Sequence, residues 1–222
     1  MISNGIVETI EYVRSKNFFD YPVYIGFTGL DGAGKSTQAG KLGQYLRSLK
    51  RQCYVCEPKD DLVPQLAIAI GRENDMSPRD YFGAYSFELA KAFSVVRHHY
   101  SLVLPFLNRG IDVIEPRTNF CRLGLAVAND SKNIEKIVEV YKSSQKYDFV
   151  FWIDTPPEVA YKRVNERGMD YEPLEDLQKF HDALSNLAKD SCIRINGMGT
   201  QDEVFERIKQ KLIELIGDLD HR

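Results

Sequence analysis

The chain has 222 residues, 43% of them hydrophobic and 27% charged, with a formal net charge of −3. That length buries a sizeable core and suits one α/β domain better than two, and the slight acidity argues against the broad basic field of a nucleic-acid polymer binder. No apolar run approaches the ~20 residues of a membrane helix, Glu8 and Glu11 interrupt the first apolar stretch where a secretory signal would lie, and four cysteines without such a signal read as reduced thiols of a cytoplasmic protein.

Ile2, Ile6, Ile10 and Val13 share one face of a helix over 2–16. Residues 1–20 therefore read as an N-terminal helical extension that packs on the domain or on a second subunit, which leaves a homodimer open. From Pro22 the pattern alternates strand and helix, the signature of a parallel sheet covered on both faces. Strands are expected at 23–28, 52–56, 111–115, 149–153 and 192–195. Helices are expected at 35–49, 134–143, 157–166, 175–189 and 201–216. Ser77 and Pro78 form an N-cap and first-turn pair, and the helical stretch they open runs towards Arg109 with a bend or break at Pro105. Gly168 to Pro173 interrupts the periodicity, so a lid is placed near 167–174. Residues 21–222 thus read as a single domain with a mostly parallel five-stranded sheet between two helical layers.

The most specific segment is Gly29-Leu30-Asp31-Gly32-Ala33-Gly34-Lys35-Ser36, followed by Thr37. It fits GxxxxGK[ST] and sits where that motif works, after an apolar strand and before a helix. Gly29, Gly32, Ala33 and Gly34 let successive N–H groups turn inward on phosphate oxygens, and the helix adds its positive end at Ser36 and Thr37. Lys35 reaches the β and γ phosphates of ATP, and the Ser36 hydroxyl can ligate Mg²⁺. No guanine-reading Asn-Lys-x-Asp segment is present, and Asp154 runs into Thr155-Pro156-Pro157 without a neighbouring glutamate to prime water. A kinase is favoured over a GTPase or a hydrolytic ATPase.

Asp31 within the loop opposes triphosphate charge unless it faces elsewhere, so a role towards an acceptor fits it better. Glu57 follows the second strand, where parallel sheets gather ligands, although a solvated turn beside Pro58 is the alternative. Glu115 ends the third strand and can serve Mg²⁺ through water or pair with Arg117. Arg163 and Arg167 share a helical face just before the Gly168 break. His98 and His99 diverge by ~100° on a helix and make no joint metal site. Cys53 and Cys56, three apart on a strand, point to opposite faces and read as structural.

The ordered motifs resemble the thymidylate kinase family of P-loop nucleoside monophosphate kinases. They are the phosphate loop through Thr37-Gln38, Glu57-Pro58, Arg117, and the block Phe151-Trp152-Ile153-Asp154-Thr155-Pro156-Pro157-Glu158-Val159-Ala160 with Arg163 and Arg167. The resemblance implies ATP as donor, a nucleoside monophosphate as acceptor, Asp31 on the acceptor sugar and Glu57 at the acceptor pocket. It also implies Arg117 on the acceptor phosphate or base, Phe87 stacked on the base with Lys91 nearby, and Arg163 or Arg167 as the lid cation for catalysis. Departures cluster around the acceptor: Thr28 for a glutamate, Cys56 for an arginine, Pro116 for an aspartate, Ala126 near a usual glutamine, Tyr171 near a usual lid arginine. The resemblance therefore implies the reaction class more firmly than the acceptor. A deoxynucleoside kinase with Glu57 as base, or a nucleotide-binding regulator without turnover, are the alternatives.

Overall fold

The apolar runs pair as five strands: β1 Tyr24–Thr28, β2 Cys53–Val55, β3 Asp112–Glu115, β4 Phe149–Asp154 and β5 Ile193–Asn196. The computed structural model describes residues 21–56, 62–144, 146–168 and 173–216. All pairings are parallel, in the order β2-β3-β1-β4-β5. Tyr24 lies beside Val113 and Phe27 beside Phe151, so the carboxyl ends of β1, β3 and β4 open on one edge.

The helices among the described residues are α1 Lys35–Ser48, α2 Leu62–Glu73, α3 Pro78–Phe82, α4 Ala84–His98 and α5 Leu104–Leu107. They continue with α6 Asn119–Ala128, α7 Ile134–Tyr141, α8 Pro157–Arg167, α9 Leu174–Ala188 and α10 Gln201–Ile216. Period-two alternation sorts the strand side chains between two layers. Ile25, Phe27, Ile114 and Ile153 pack with Leu42 and Leu46 of α1 and with Val204, Ile208 and Leu212 of α10. Trp152 belongs to the opposite face, with Leu177, Phe180 and Leu184 of α9 and Cys121 of α6. Each such buried side chain stabilises the fold by about 1.5–3 kcal/mol. The helix after β1 and the helix after β3 thus cover opposite faces. The crevice between the ends of these two adjacent strands is where such sheets take ligands.

Asp112 joins the starts of three strands. It accepts the Val23 N–H at 2.9 Å and the Arg51 Nε and Nη2 at 2.6 and 2.5 Å. Both partners of this ion pair are buried, so losing one leaves an uncompensated interior charge.

The single helical stretch expected from Ser77 towards Arg109 is instead α3, α4, a π-helical turn at His99–Val103, and α5. Ser77 does cap the start, accepting the Asp80 N–H at 3.2 Å with Pro78 in the first turn. Gly83, at φ 80°, leaves helical space and separates α3 from α4. The wider π turn precedes Pro105, whose ring and missing N–H disturb the regular ladder there. Helix α6 adds to the expected elements. The helix expected over 2–16 lies outside the described residues.

Candidate active site

The phosphate loop leaves β1 at the buried Thr28 and closes on α1. Gly29, Gly32 and Gly34 hold φ of 146°, 86° and 96°, where a side chain is strained. A Cβ at Gly29 would lie 2.6 Å from the Ile153 carbonyl oxygen, and one at Gly32 would lie 2.4 Å from that of Ala160. The loop therefore passes so close to β4 and α8 that two of its positions take only glycine. Gly34 caps α1 in the left-handed conformation, leaving the first-turn amides of the helix at the loop mouth.

Lys35 folds back over the loop. Its Nζ donates to the Gly29 carbonyl at 2.9 Å, the Leu30 carbonyl at 2.7 Å and Asp31 Oδ1 at 3.3 Å, and the side chain is 7% exposed. A buried ammonium leaning on main-chain oxygens, inside a ring of glycine-permitted amides, matches the charge and shape of a phosphate chain. Ser36 is exposed at the start of α1, and among the described residues no group of three acidic, histidine or cysteine side chains could hold a metal. The Ser36 hydroxyl fits the share of a Mg²⁺ shell that a phosphate loop supplies, with water and the nucleotide's phosphates as further ligands.

Asp31 joins the loop to the end of β3. Its Oδ1 accepts from Arg117 Nη2 in a close ion pair as well as from Lys35. Burial alone would raise the Asp31 pKa, but the charges and hydrogen bonds of Lys35 and Arg117 outweigh it and hold the carboxyl well below the usual carboxylate range. The crevice between β1 and β3 thus gathers two cations and one carboxylate from separate loops.

Glu115 sits elsewhere than the sequence suggests. Neither a Mg²⁺ role nor a pair with Arg117 matches its surroundings. Its Oε2 accepts from the Tyr24 hydroxyl, from the Tyr147 hydroxyl at 2.6 Å and from His99 Nε2 at 3.4 Å. Side chains alternate along β3, so Glu115 shares the face of Val113, which packs with Tyr24. Burial raises its pKa, yet His99 and then Tyr147 and Tyr24 outweigh that and lower it. Arg117 turns to Asp31 instead.

The two lid arginines part company. Both Arg163 Nη atoms point to the Gly197 carbonyl after β5, at 3.3 Å each. Arg167 is exposed at the end of α8, with its Nε on the Arg163 carbonyl at 3.3 Å. Gly168 stops the helix in the left-handed conformation. Asp154, which ends β4, is taken by His181 Nε2 at 3.0 Å and Arg194 Nε at 2.7 Å. Glu57, Tyr171 and residues 169–172 of the expected lid lie outside the described residues.

On α4, Phe87 and Lys91 do come together, both 7% exposed, with Lys91 Nζ 5.0 Å from the ring centroid. Burial lowers the Lys91 pKa, and the positive charge of Arg122, on the helix that follows Arg117, adds to that lowering. Two of the departures from the resembled motifs are neutral fillings. Thr28 Oγ1 lies 3.0 Å from Cys121 Sγ, and Ala126 is buried.

A family model described as thymidylate kinase matches residues 27–212. The chain belongs to the thymidylate kinase family. It is 28% identical over 200 residues to a thymidylate kinase of Thermosipho africanus, covering 84% of this chain and 96% of the relative. It is also 28% identical over 202 residues to that of Rickettsia canadensis, covering 85% and 96%, and 24% identical to that of Caldicellulosiruptor saccharolyticus, covering 87% and 97%. As a member of the thymidylate kinase family, the chain is a phosphotransferase built on the P-loop fold.

Two residues of this thymidylate kinase family member went unnoticed in the sequence. Glu88, 1% exposed, accepts from Lys91 Nζ at 2.7 Å and from Arg79 Nη2 and Nε at 3.0 and 3.2 Å. Arg79 Cζ also lies 5.6 Å from the Phe87 ring. The Glu88–Lys91 spacing of three on a helix was the available signal.

Proposed function

We propose that the chain transfers the γ-phosphoryl group of Mg-ATP to the phosphate of a pyrimidine nucleoside monophosphate, with thymidylate the first acceptor to test. The observation that carries this reading is Arg117 meeting Asp31 between the ends of β1 and β3. A cation from the second strand end stands beside the donor's phosphate loop, where an acceptor phosphate must approach for in-line transfer. The names of its relatives support thymidylate, and the buried Phe87 on α4 offers a face for a base.

Mg-ATP supplies the transferable group. In this reading Lys35 leaves its carbonyl partners to hold the donor phosphates, Ser36 serves the metal ion, and Asp31 orients Arg117 towards the acceptor. Transfer of this kind needs positioning and charge stabilisation rather than covalent help from the protein. Four free cysteines and an ATP donor favour a cytoplasmic site of action. Among the described residues no helix is long and apolar enough to cross a membrane. A homodimer is part of the same reading, and light scattering of the purified chain tests it.

The experiment is a panel of pyrimidine monophosphates and their nucleosides incubated with Mg-ATP, with the products separated by anion exchange. A diphosphate should appear from at least one monophosphate, and the matching nucleoside should be phosphorylated far more slowly. Product from nucleosides alone would assign a nucleoside kinase. ATP binding without any product would assign a regulator.

A further inference from the structure

Glu115 is a buried carboxylate that the donor site does not use, and it ends the strand from which Arg117 departs. On that face lie Tyr24, Cys56, Val103 and Val113, a cluster that an apolar side chain would complete. A buried charge seldom stabilises a fold more than apolar packing does, so stability alone does not account for it.

The hydrogen bonds around Glu115 run one way. The Tyr24 hydroxyl has a single proton and gives it to Glu115 Oε2. His99 Nε2–H is therefore the donor in its 2.8 Å contact with the Tyr24 oxygen. The Tyr147 hydroxyl donates to the same Oε2 at 2.6 Å, and its ring stacks on Tyr24 with centroids 4.3 Å apart. Through one carboxylate oxygen the end of β3 is tied to β1, to the π-helical turn and to the segment before β4.

The residues that follow are held from both sides. Pro116 is buried, and its ring fixes one backbone angle. Thr118, beyond Arg117, donates its N–H to the Phe27 carbonyl of β1 at 3.3 Å. The Thr118 methyl and the Tyr147 ring together leave no room for a Cβ at Gly26, the β1 residue beside Glu115. Arg117 leaves the chain between these two fixed points and meets Asp31. We propose that Glu115 is a positioning residue for the acceptor phosphate: gathered by Tyr24, Tyr147 and His99, it sets the end of β3 so that the Arg117 guanidinium is aimed into the crevice. This rests on the proposed monophosphate kinase activity and adds to it a residue that acts through Arg117.

The experiment measures KM for acceptor and for ATP, with the melting temperature as a folding control, in Glu115→Gln and Tyr147→Phe. The first removes the charge at nearly constant size, and the second deletes one hydroxyl of the tether. In Glu115→Gln the acceptor KM should rise about tenfold, the loss expected for one charged hydrogen bond, with kcat and the KM for ATP little changed. Tyr147→Phe should raise it about threefold. Each change is then repeated in an Arg117→Lys enzyme. A lysine on a flexible stem depends far less on aim than a rigid guanidinium fork, so there each change should add little. An active parent whose acceptor KM is unmoved by Tyr147→Phe overturns the proposal and leaves the kinase reading intact, even where Glu115→Gln fails to fold. An equal rise in the arginine and lysine backgrounds overturns it too, as does a rise shared by the KM for ATP. A parent inactive on every monophosphate overturns both.

Discussion

Arg117, the second residue after β3, and Asp31, the third residue of the phosphate loop, share an ion pair across the crevice between neighbouring strands. The pair couples the element that grips the donor to the one that would meet the acceptor. Asp31 also reaches Lys35 at 3.3 Å, so one carboxylate orients both cations. Asp31→Asn keeps the size and removes the charge. Acceptor kcat/KM should fall by about tenfold, as for one charge-assisted hydrogen bond, with a smaller change in the KM for ATP. The same variant reports on acid stability. The Asp31 pKa is depressed in the folded state, so its contribution is fully present above the unfolded value of roughly 4 and is lost as pH falls towards the folded one. Melting curves of parent and variant should therefore differ at neutral pH and converge in strong acid. Equal melting at neutral pH would show the pair to be structurally idle.

Lys35 is the donor site's own test. Its Nζ now rests on the Gly29 and Leu30 carbonyls at 2.9 and 2.7 Å, and a bound nucleotide offers phosphate oxygens in their place. Lys35→Ala should lower kcat on the order of 10²-fold or more, as loss of a preorganised charge does. Steady-state ADP release, with the melting temperature as a folding control, decides it. Unimpaired turnover would remove the loop from the mechanism.

The loop glycines should differ among themselves. Gly32→Ala meets the Ala160 carbonyl oxygen 2.4 Å away and also keeps a φ of 86°. Gly34→Ala finds nothing within 4 Å and carries only the strain of φ 96°. That strain costs about 1–2 kcal/mol, whereas the clash at Gly32 forces α8 or the loop to shift. Gly32→Ala should melt well below Gly34→Ala and lose more ATP affinity. Equal melting points would mean that α8 yields at little cost.

Sequence alone made the sheet and the phosphate loop legible, because each depends on local patterns. Phe149–Asp154 is nearly all apolar, and Gly29 to Ser36 carries its geometry in its glycines. What depended on distant partners was hidden. Glu115 and Arg117 are two residues apart, yet β3 ends at Glu115, so Glu115 keeps the strand face of Val113 and meets Tyr24, Tyr147 and His99, while Arg117, beyond Pro116 and outside the strand, reaches Asp31. Helix α6 was obscured by Gly124, unfavourable in a helix by ~1 kcal/mol. The break of the long helix at Gly83 needed its φ of 80° to be seen.

The last expectation separates the two arginines of α8. The phosphate loop has Gly32 and Ala33 between Asp31 and Gly34, so it supplies no arginine for the charge that develops on the transferring group. A cation beyond Lys35 and Mg²⁺ is still needed there. Arg163 is already engaged, with both Nη atoms 3.3 Å from the Gly197 carbonyl, where it ties α8 to the segment after β5. Arg167 is exposed and adjoins Gly168, at which the helix ends. The long side chain of Arg167, exposed at the end of α8, can turn to a new rotamer without unpacking α8, whose Ala160 and Val164 are buried. Arg167→Ala should thus lower kcat on the order of 10²-fold with ATP affinity changed much less, the mark of a contact made chiefly in the transition state. Arg163→Ala should act the other way round. Freed from Gly197, the segment before α10 loosens, and ATP binding should weaken more than the chemical step slows. Single-turnover rates measured beside equilibrium ATP binding keep slow product release from masking either effect. Parental chemistry in Arg167→Ala would place that residue on a solvated helix face, and slow chemistry with tight ATP binding in Arg163→Ala would transfer the catalytic role to Arg163.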